Sequence, residues 1–565
     1  MTIDIRICWA LLLLLRGSYC VNAHGLSVIQ QGEPTTTTMD TSCTYDYIVI
    51  GGGTAGCVIA ERLSTNSSAT VLVIEAGPRM DSDPLIFQGN TSGLLFAYAA
   101  VYFWQNKQAP NMEVEDPGDW SGGRLLGGGS SVNGMQWIRG TDYVWQQWAK
   151  ISGDDLWAPE NVLQRFIAFE DFTGRPEVAA QFHGMNGTLS IRETFTTESQ
   201  TEPPTVALKT IQALSQMLNG SEPLQDYNSL QPESRVGPFI SYHNQQHADG
   251  TRSSASIDFL TPEVVSSRPN LDLVQRASVT LILFDTSGEQ PVAIGVDYLE
   301  EGVGRTCSAS TKVILSAGIY SSSILQRSGI GNATYLQQLD PSMQVVLDNP
   351  NVGLYVANHP LVRASFSRNP EDEVSSNPSD LSSSSAWLPD PNPACAAKST
   401  NSPRRIQFTT NPARDQPMMG DFDPLRVPLA SSATLQDPDD VRIFMDSFRT
   451  YVVGLHSAFQ GTGGQPAIDP AYALVSPSMD VIQNDTLLED YIRSTVIPTH
   501  HFMSHCRMGS SPESSVVDSR GRVWGVQNLI VADDSIIPFT HDGNTVAPAF
   551  LIGWTIAEEI MAGRA

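Results

Sequence analysis

Apolar positions along this chain fall into short dense runs that close on glycine. Tyr47-Ile48-Val49-Ile50 is β-rich, brief and followed by Gly51, a pattern that predicts a buried parallel strand. From Thr54 to Ser64, the apolar residues Ala55, Val58, Ile59 and Leu63 fall on one side at helical spacing. Val71 to Ile74 predicts a second strand. Lys312 to Gly318 again runs from a strand into a glycine turn, and Leu529 to Asp533 is a third strand of the same buried type. These segments predict one α/β domain assembled from the beginning, middle and end of the chain, with a second domain built from residues between them.

Other stretches break the pattern. Arg6, the apolar run Ile7 to Leu15 and the small residues Val21-Asn22-Ala23 predict a secretory leader over 1–23. The run is too short for a bilayer span and ends at Arg16, and no later segment is long and apolar enough to cross a membrane. A polar lead-in over 24–44 follows. Asn369 to Pro403 is rich in Ser, Pro, Asp and Asn, including Ser382 to Ser385, so it predicts a solvated surface insertion, with a loop over the pocket as the alternative.

Composition narrows the function. The 565 residues carry 33 Lys+Arg against 60 Asp+Glu, a net −27, which argues against nucleic acid or an anionic membrane as the main partner. Asn66, Asn90, Asn186, Asn219, Asn332 and Asn484 each begin an N-glycosylation sequon, consistent with a secretory route in a eukaryote. After leader removal Cys43, Cys57, Cys307, Cys395 and Cys506 remain, an odd set that leaves at least one thiol free or paired between chains. No CxxC pair or Cys/His cluster predicts a metal site, and His500, His501 and His505 do not share one helix face.

The chemistry begins at Gly51, Gly53 and Gly56. In a GxGxxG turn the first glycine permits the bend, the second lets backbone approach a pyrophosphate, and the third lets strand and helix pack closely. Thr54 and Ala55 open the helix whose N–H groups face such phosphates. Glu75, 22 residues after Gly53 at the end of the second strand, suits a ribose diol. This unit specifies a dinucleotide without distinguishing flavin from nicotinamide. A second glycine run, Gly123-Arg124-Leu125-Leu126-Gly127-Gly128-Gly129-Ser130-Ser131-Val132-Asn133-Gly134, reads equally as a flexible loop or as backbone laid against a flat ligand.

Together these segments resemble the glucose–methanol–choline (GMC) oxidoreductase family. Gly123 through Trp137 and Gly140 match its first long pattern, and Ser316 through Gly331 resemble its second, one residue short. Gly250 to Ala255, Asn358-His359-Pro360, Val516 through Asp533, and Gly543-Asn544-Thr545 follow in the family's order. The resemblance implies a Rossmann-like FAD-binding domain, discontinuous over 45–365 and 495–565 with insertions such as about 160–240. It implies a substrate domain over 366–494, with an antiparallel sheet covered by helices. It implies FAD held by Gly51, Gly53, Thr54, Ala55, Gly56, Glu75, Arg124, Gly128, Ser131, Asn133, Gly134, Val279, Asp533, Asn544 and Thr545. Asn133 stands where some members carry a histidine bonded to the flavin, so the FAD is expected to be non-covalent.

The resemblance further implies oxidation of a small alcohol, with His501, five residues before Cys506, as base and Asn544 orienting the hydroxyl. His505 and His541 are the rival histidines, and Asn544 is otherwise a turn residue. Substrates of the sugar, aryl-alcohol or secondary-metabolite kinds, reoxidation by oxygen or another acceptor, and a fungal secreted source belong to the same expectation. Oligomeric state stays open. Two other functions compete: a redox-neutral cyclase or lyase that keeps FAD as a structural element, and a non-enzymatic glycoprotein on the same fold.

Overall fold

The expected β-α-β unit forms because its strands are apolar on both faces and its helix is covered on nearly every side. β1 (Thr44–Ile50) leads through α1 (Thr54–Ser64) to β2 (Val71–Ile74), and Ile48, Val49, Val71 and Val73 are fully buried. The computed structural model describes residues 43–87, 101–104, 120–175, 181–194, 203, 205–367, 371, 383–388, 404–409, 418–423, 438–462 and 464–565. The leader 1–23, most of the lead-in, Asn90 and Cys395 lie outside them.

The sheet is completed by β3 (Leu271–Val274), β4 (Ala277–Asp285), β5 (Val292–Glu300), β6 (Val303–Leu315) and β7 (Leu529–Val531). Its order is β4-β5-β6-β1-β2-β3, with β7 beside the end of β6. β6 changes partners along its length. Val303 to Ser308 pair antiparallel with β5, and Val313 to Leu315 pair parallel with β7 while β1 lies on the other edge. The early, middle and late strands therefore do share one sheet. The C-terminal helix α2 (Val546–Met561), apolar almost throughout, packs against α1.

A second, antiparallel sheet has the order Leu474–Ser476, Arg363–Phe366, Met418–Asp423, Arg404–Thr409, Ser383–Leu388 and Gly237–Ser241. Its core joins Ala364 and Phe366 to Val206 and Leu214 of helix Thr205–Met217 and to Phe444, Phe448 and Phe459 of helix Pro438–Gln460. This is the expected fold, an FAD-binding type of domain joined to an antiparallel-sheet domain. Phe166, Phe169, Phe172, Leu189 and Ile191 pack with Trp137 in the first core. The Ser/Pro-rich stretch departs from expectation. Ser383–Leu388 is an interior strand paired on both edges, so backbone pairing supplies the stability its serines do not.

One covalent tie was not legible in the sequence. Cys43 and Cys307 form a disulfide across a separation of 264 residues, while Cys57 and Cys506 are buried thiols. Breaking it with Cys307→Ser should destabilise the protein by about 2–4 kcal/mol, since it closes a long loop in the unfolded chain. Denaturant unfolding with and without reductant checks this, and equal midpoints would refute it.

Candidate active site

The glycine turn is defined by what would collide there. Gly51 has φ +93°, and a Cβ on it would lie 2.5 Å from the Ser316 carbonyl oxygen. A Cβ on Gly56 would sit 2.0 Å from the Gly51 oxygen, so no side chain fits between helix and turn. Gly53 differs: the nearest atom to its added Cβ is 3.8 Å away. Nothing among the described residues requires glycine at 53, and its bare face leaves room for a ligand. A phosphate cradle at the start of α1 has this form.

Glu75 faces the same turn. Its carboxylate accepts the Gly52 N–H at 2.9 Å and the Gly77 N–H at 2.7 Å. Burial pushes its pKa up to about 7, against the pull of those two N–H groups and Arg124. An acid whose pKa is raised on folding holds its proton longer in the native state. Stability of the FAD-free protein therefore falls as pH rises from the unfolded value of about 4.3 towards 7. Glu75→Gln should flatten that part of the melting-temperature profile, and an unchanged slope would refute the assignment.

The second glycine run folds onto the first. Gly127 N–H donates to the Gly52 oxygen at 2.7 Å, and the Thr54 hydroxyl bridges Gly127 and Ser130. Gly128, at φ +51°, passes so close to Gly53 that a Cβ would come within 2.9 Å of its Cα. Gly134 and Arg124 are exposed beside this junction. Ser131 is buried and gives its hydroxyl to the Leu126 oxygen. Asn133 is also bound within the protein: its amide donates to Gln245 and accepts from Arg252 and from Met135 N–H. Val279 is buried in β4, whose first residue donates its N–H to the Glu75 carbonyl. Asp533 ties the two late strand ends together, accepting from Gly318 N–H, Ser321 and Ser535 N–H.

The three histidines near 500 separate cleanly. His500 is exposed, and His505 is buried with its pKa lowered to about 4 by burial. His501 lies 3.4 Å by Nε2 from the Asn544 amide nitrogen, immediately before α2. A fourth histidine, which the sequence brought in only as part of a motif, decides its protonation. His359 Nε2 is 2.6 Å from the His541 carbonyl oxygen, which can only accept, so His359 carries its proton there. His359 Nδ1 is then a lone pair, 2.8 Å from His501 Nδ1. Thr499 Oγ1, 3.0 Å from that same atom, spends its proton on the His359 carbonyl. Both neighbours can accept there, an arrangement that favours a neutral His501 with its proton on Nδ1 and with Nε2 towards the Asn544 amide. His541 contributes its backbone carbonyl, and its ring lies tilted against Trp145 at 5.4 Å.

A second buried polar cluster went unforeseen. Arg139 pairs with Glu170, which also contacts His183, and His183, Asp226 and His243 each offer one ligand atom within 4.8 Å of the others, with His183 Nε2 3.4 Å from Asp226 Oδ2. That spacing would suit a metal, but the Asn228 amide excludes His243 as a ligand. It accepts from Arg139 N–H and donates to the Trp137 oxygen and to His243 Nδ1, so His243 Nε2 bears the proton and offers no lone pair. Burial and Arg139 oppose protonation of His183, and Glu170 and Asp226 outweigh them and raise its pKa. The cluster is an internal ion network.

Residues 45–361 match the N-terminal and residues 420–553 the C-terminal sequence model of the family described as GMC oxidoreductase. An alcohol dehydrogenase [acceptor] of Pseudomonas putida is 28% identical over 92% of this chain and 96% of its own. An oxygen-dependent choline dehydrogenase of Cronobacter sakazakii is 31% identical over 91% and 95%. The crystal structure of pyridoxine 4-oxidase from Mesorbium loti superposes with a TM-score of 0.73 at 23% identity, covering 92% of this chain and 99% of that one.

Proposed function

Because the chain belongs to the GMC oxidoreductase family and is an FAD-dependent enzyme acting on alcohols, we propose that it oxidises the hydroxyl of a small organic alcohol to a carbonyl with His501 as the base. The observation that carries this reading is the His359–His501–Asn544 arrangement, in which His359 meets His501 Nδ1 and the Asn544 amide meets His501 Nε2. FAD, when bound, supplies the two-electron acceptor for the substrate carbon. Gly53, the Thr54 turn and Glu75 would hold its phosphates and ribose, and the bare face at Gly53 fits that group.

The protein's own part is proton handling. The substrate hydroxyl gives its proton to His501 Nε2 as the carbon–hydrogen bond breaks and the carbonyl forms. Asn544 donates its amide N–H to the substrate oxygen and fixes its direction. Thr499 and His359 hold the other face of the imidazole, so the incoming proton is shared without turning the ring. A screen of sugar, aryl and other small alcohols that follows loss of oxidised flavin absorbance tests the substrate class. Failure of every alcohol to reduce the flavin would sink the proposal.

The same reading includes passage through the secretory pathway of a fungus and glycosylation. The Arg6–Ala23 pattern, the Cys43–Cys307 disulfide and the exposure of Asn66, Asn186, Asn219, Asn332 and Asn484 support it. Intact-mass analysis before and after glycosidase treatment, with N-terminal sequencing, decides it. An unglycosylated chain that still begins at Met1 would contradict it.

A further inference from the structure

His501 sits in a local fault between two antiparallel segments. Ala357 and Met503 exchange both backbone hydrogen bonds at 2.9 Å, and Pro360 and Leu361 pair with Pro498 and Ile497. Between these points residues 358–359 face residues 499–502, so the longer side must bulge. His500 absorbs the bend at φ +63°, a left-handed conformation that non-glycine residues rarely adopt. The bulge takes the His501 N–H away from any ladder carbonyl.

Asn358 fills the gap. Its side-chain oxygen accepts the His501 N–H at 2.9 Å and the His359 N–H at 2.8 Å, with the Thr499 hydroxyl 3.4 Å away. One buried oxygen atom thus grips the backbone of both imidazoles in the proton-sharing pair and reaches the hydroxyl beside them. The Asn358 amide nitrogen makes no hydrogen bond among the described residues, so the oxygen is the part of this side chain that holds the bulge. A carbonyl acceptor at this point is the feature the bulge requires.

We propose that Asn358 is a positioning residue, whose side-chain oxygen pins the bulge so that His359 meets His501 Nδ1 and His501 Nε2 faces the substrate. The claim rests on the alcohol-oxidising reading above, and its test separates the two. In the FAD-loaded enzyme, Asn358→Leu keeps the side-chain volume and removes the acceptor. Its limiting rate of flavin reduction by an alcohol should fall about 10–100-fold, with KM and FAD content little changed, because a displacement of about 1 Å costs about that much. Asn358→Asp keeps the acceptor and adds a buried negative charge against two imidazoles. That charge favours the protonated imidazole, so the base is free only at higher pH. Asn358→Asp should recover the rate at high pH, with the acidic limb of its profile displaced upward.

Equal losses in both variants, or an unmoved limb in Asn358→Asp, would overturn the assignment. If Asn358→Leu does not fold, the position of the acidic limb in Asn358→Asp alone decides. If no alcohol reduces the wild-type flavin, the functional reading has failed and this one is judged separately. ¹⁵N-histidine spectra of the holoenzyme should then show a His501 tautomer protonated at Nδ1 in the wild type and mixed in Asn358→Leu. Identical spectra would overturn the positioning role.

Discussion

Replacing His501 with alanine is expected to slow anaerobic flavin reduction by an alcohol about 10²–10⁴-fold, the usual worth of a positioned general base, with FAD still bound. The expectation follows from hydrogen-bond bookkeeping. The His541 carbonyl forces the His359 proton onto Nε2, and His359 then forces the His501 proton onto Nδ1. Only His501 among the three histidines near 500 ends with a lone pair at the site. His500 is exposed, and His505 is buried with no hydrogen bond to its Nε2 among the described residues. His505→Ala should therefore not reproduce the kinetic loss. An undiminished rate in His501→Ala would remove that residue from the chemistry and leave only a flavin site.

The second large effect concerns the cofactor. Gly53→Ala should leave the FAD-free protein folded with a near-normal melting temperature, because its Cβ would meet no atom closer than 3.8 Å. FAD affinity should nevertheless drop about 10–100-fold, the equivalent of about 1.5–3 kcal/mol of charge-assisted hydrogen bonding to the phosphates. Gly56→Ala is the contrast: its Cβ would stand 2.0 Å from the Gly51 oxygen, so the helix must move and folding itself suffers. Isothermal titration of both apoproteins separates the cases. Normal FAD affinity in Gly53→Ala would refute the phosphate cradle.

The first half of the site was legible because it is local. Strand, glycine turn, helix and acid follow one another within Tyr47 to Glu75, and each has its own sequence signature. The strands ending near Leu315 and Val531 were legible for the same reason, as buried apolar runs. Long-range pairings were not. His359 and His501 meet across 142 residues and Cys43 meets Cys307 across 264, distances at which no periodicity reports contact. Asn358 was visible only as a letter in a motif, since its role depends on a bulge whose other side lies at 499–502. The Ser383–Leu388 strand was hidden by composition, because serines suggest solvent while the backbone pairs on both edges. Asn133 and Ser131 were expected at the cofactor, and the partners their side chains find in the fold, Gln245, Arg252 and Leu126, lie far off in sequence or in backbone that no motif specifies.

The central claim is that a hydroxyl proton passes to His501 while the alcohol is oxidised. Its most direct test is to mix the purified FAD-loaded protein with candidate alcohols in the absence of oxygen and record the flavin spectrum. Loss of the oxidised flavin bands with stoichiometric carbonyl product, fast in the wild type and slowed in His501→Ala, is the predicted result. Product formation with the oxidised spectrum unchanged would contradict it and favour redox-neutral chemistry on the same fold.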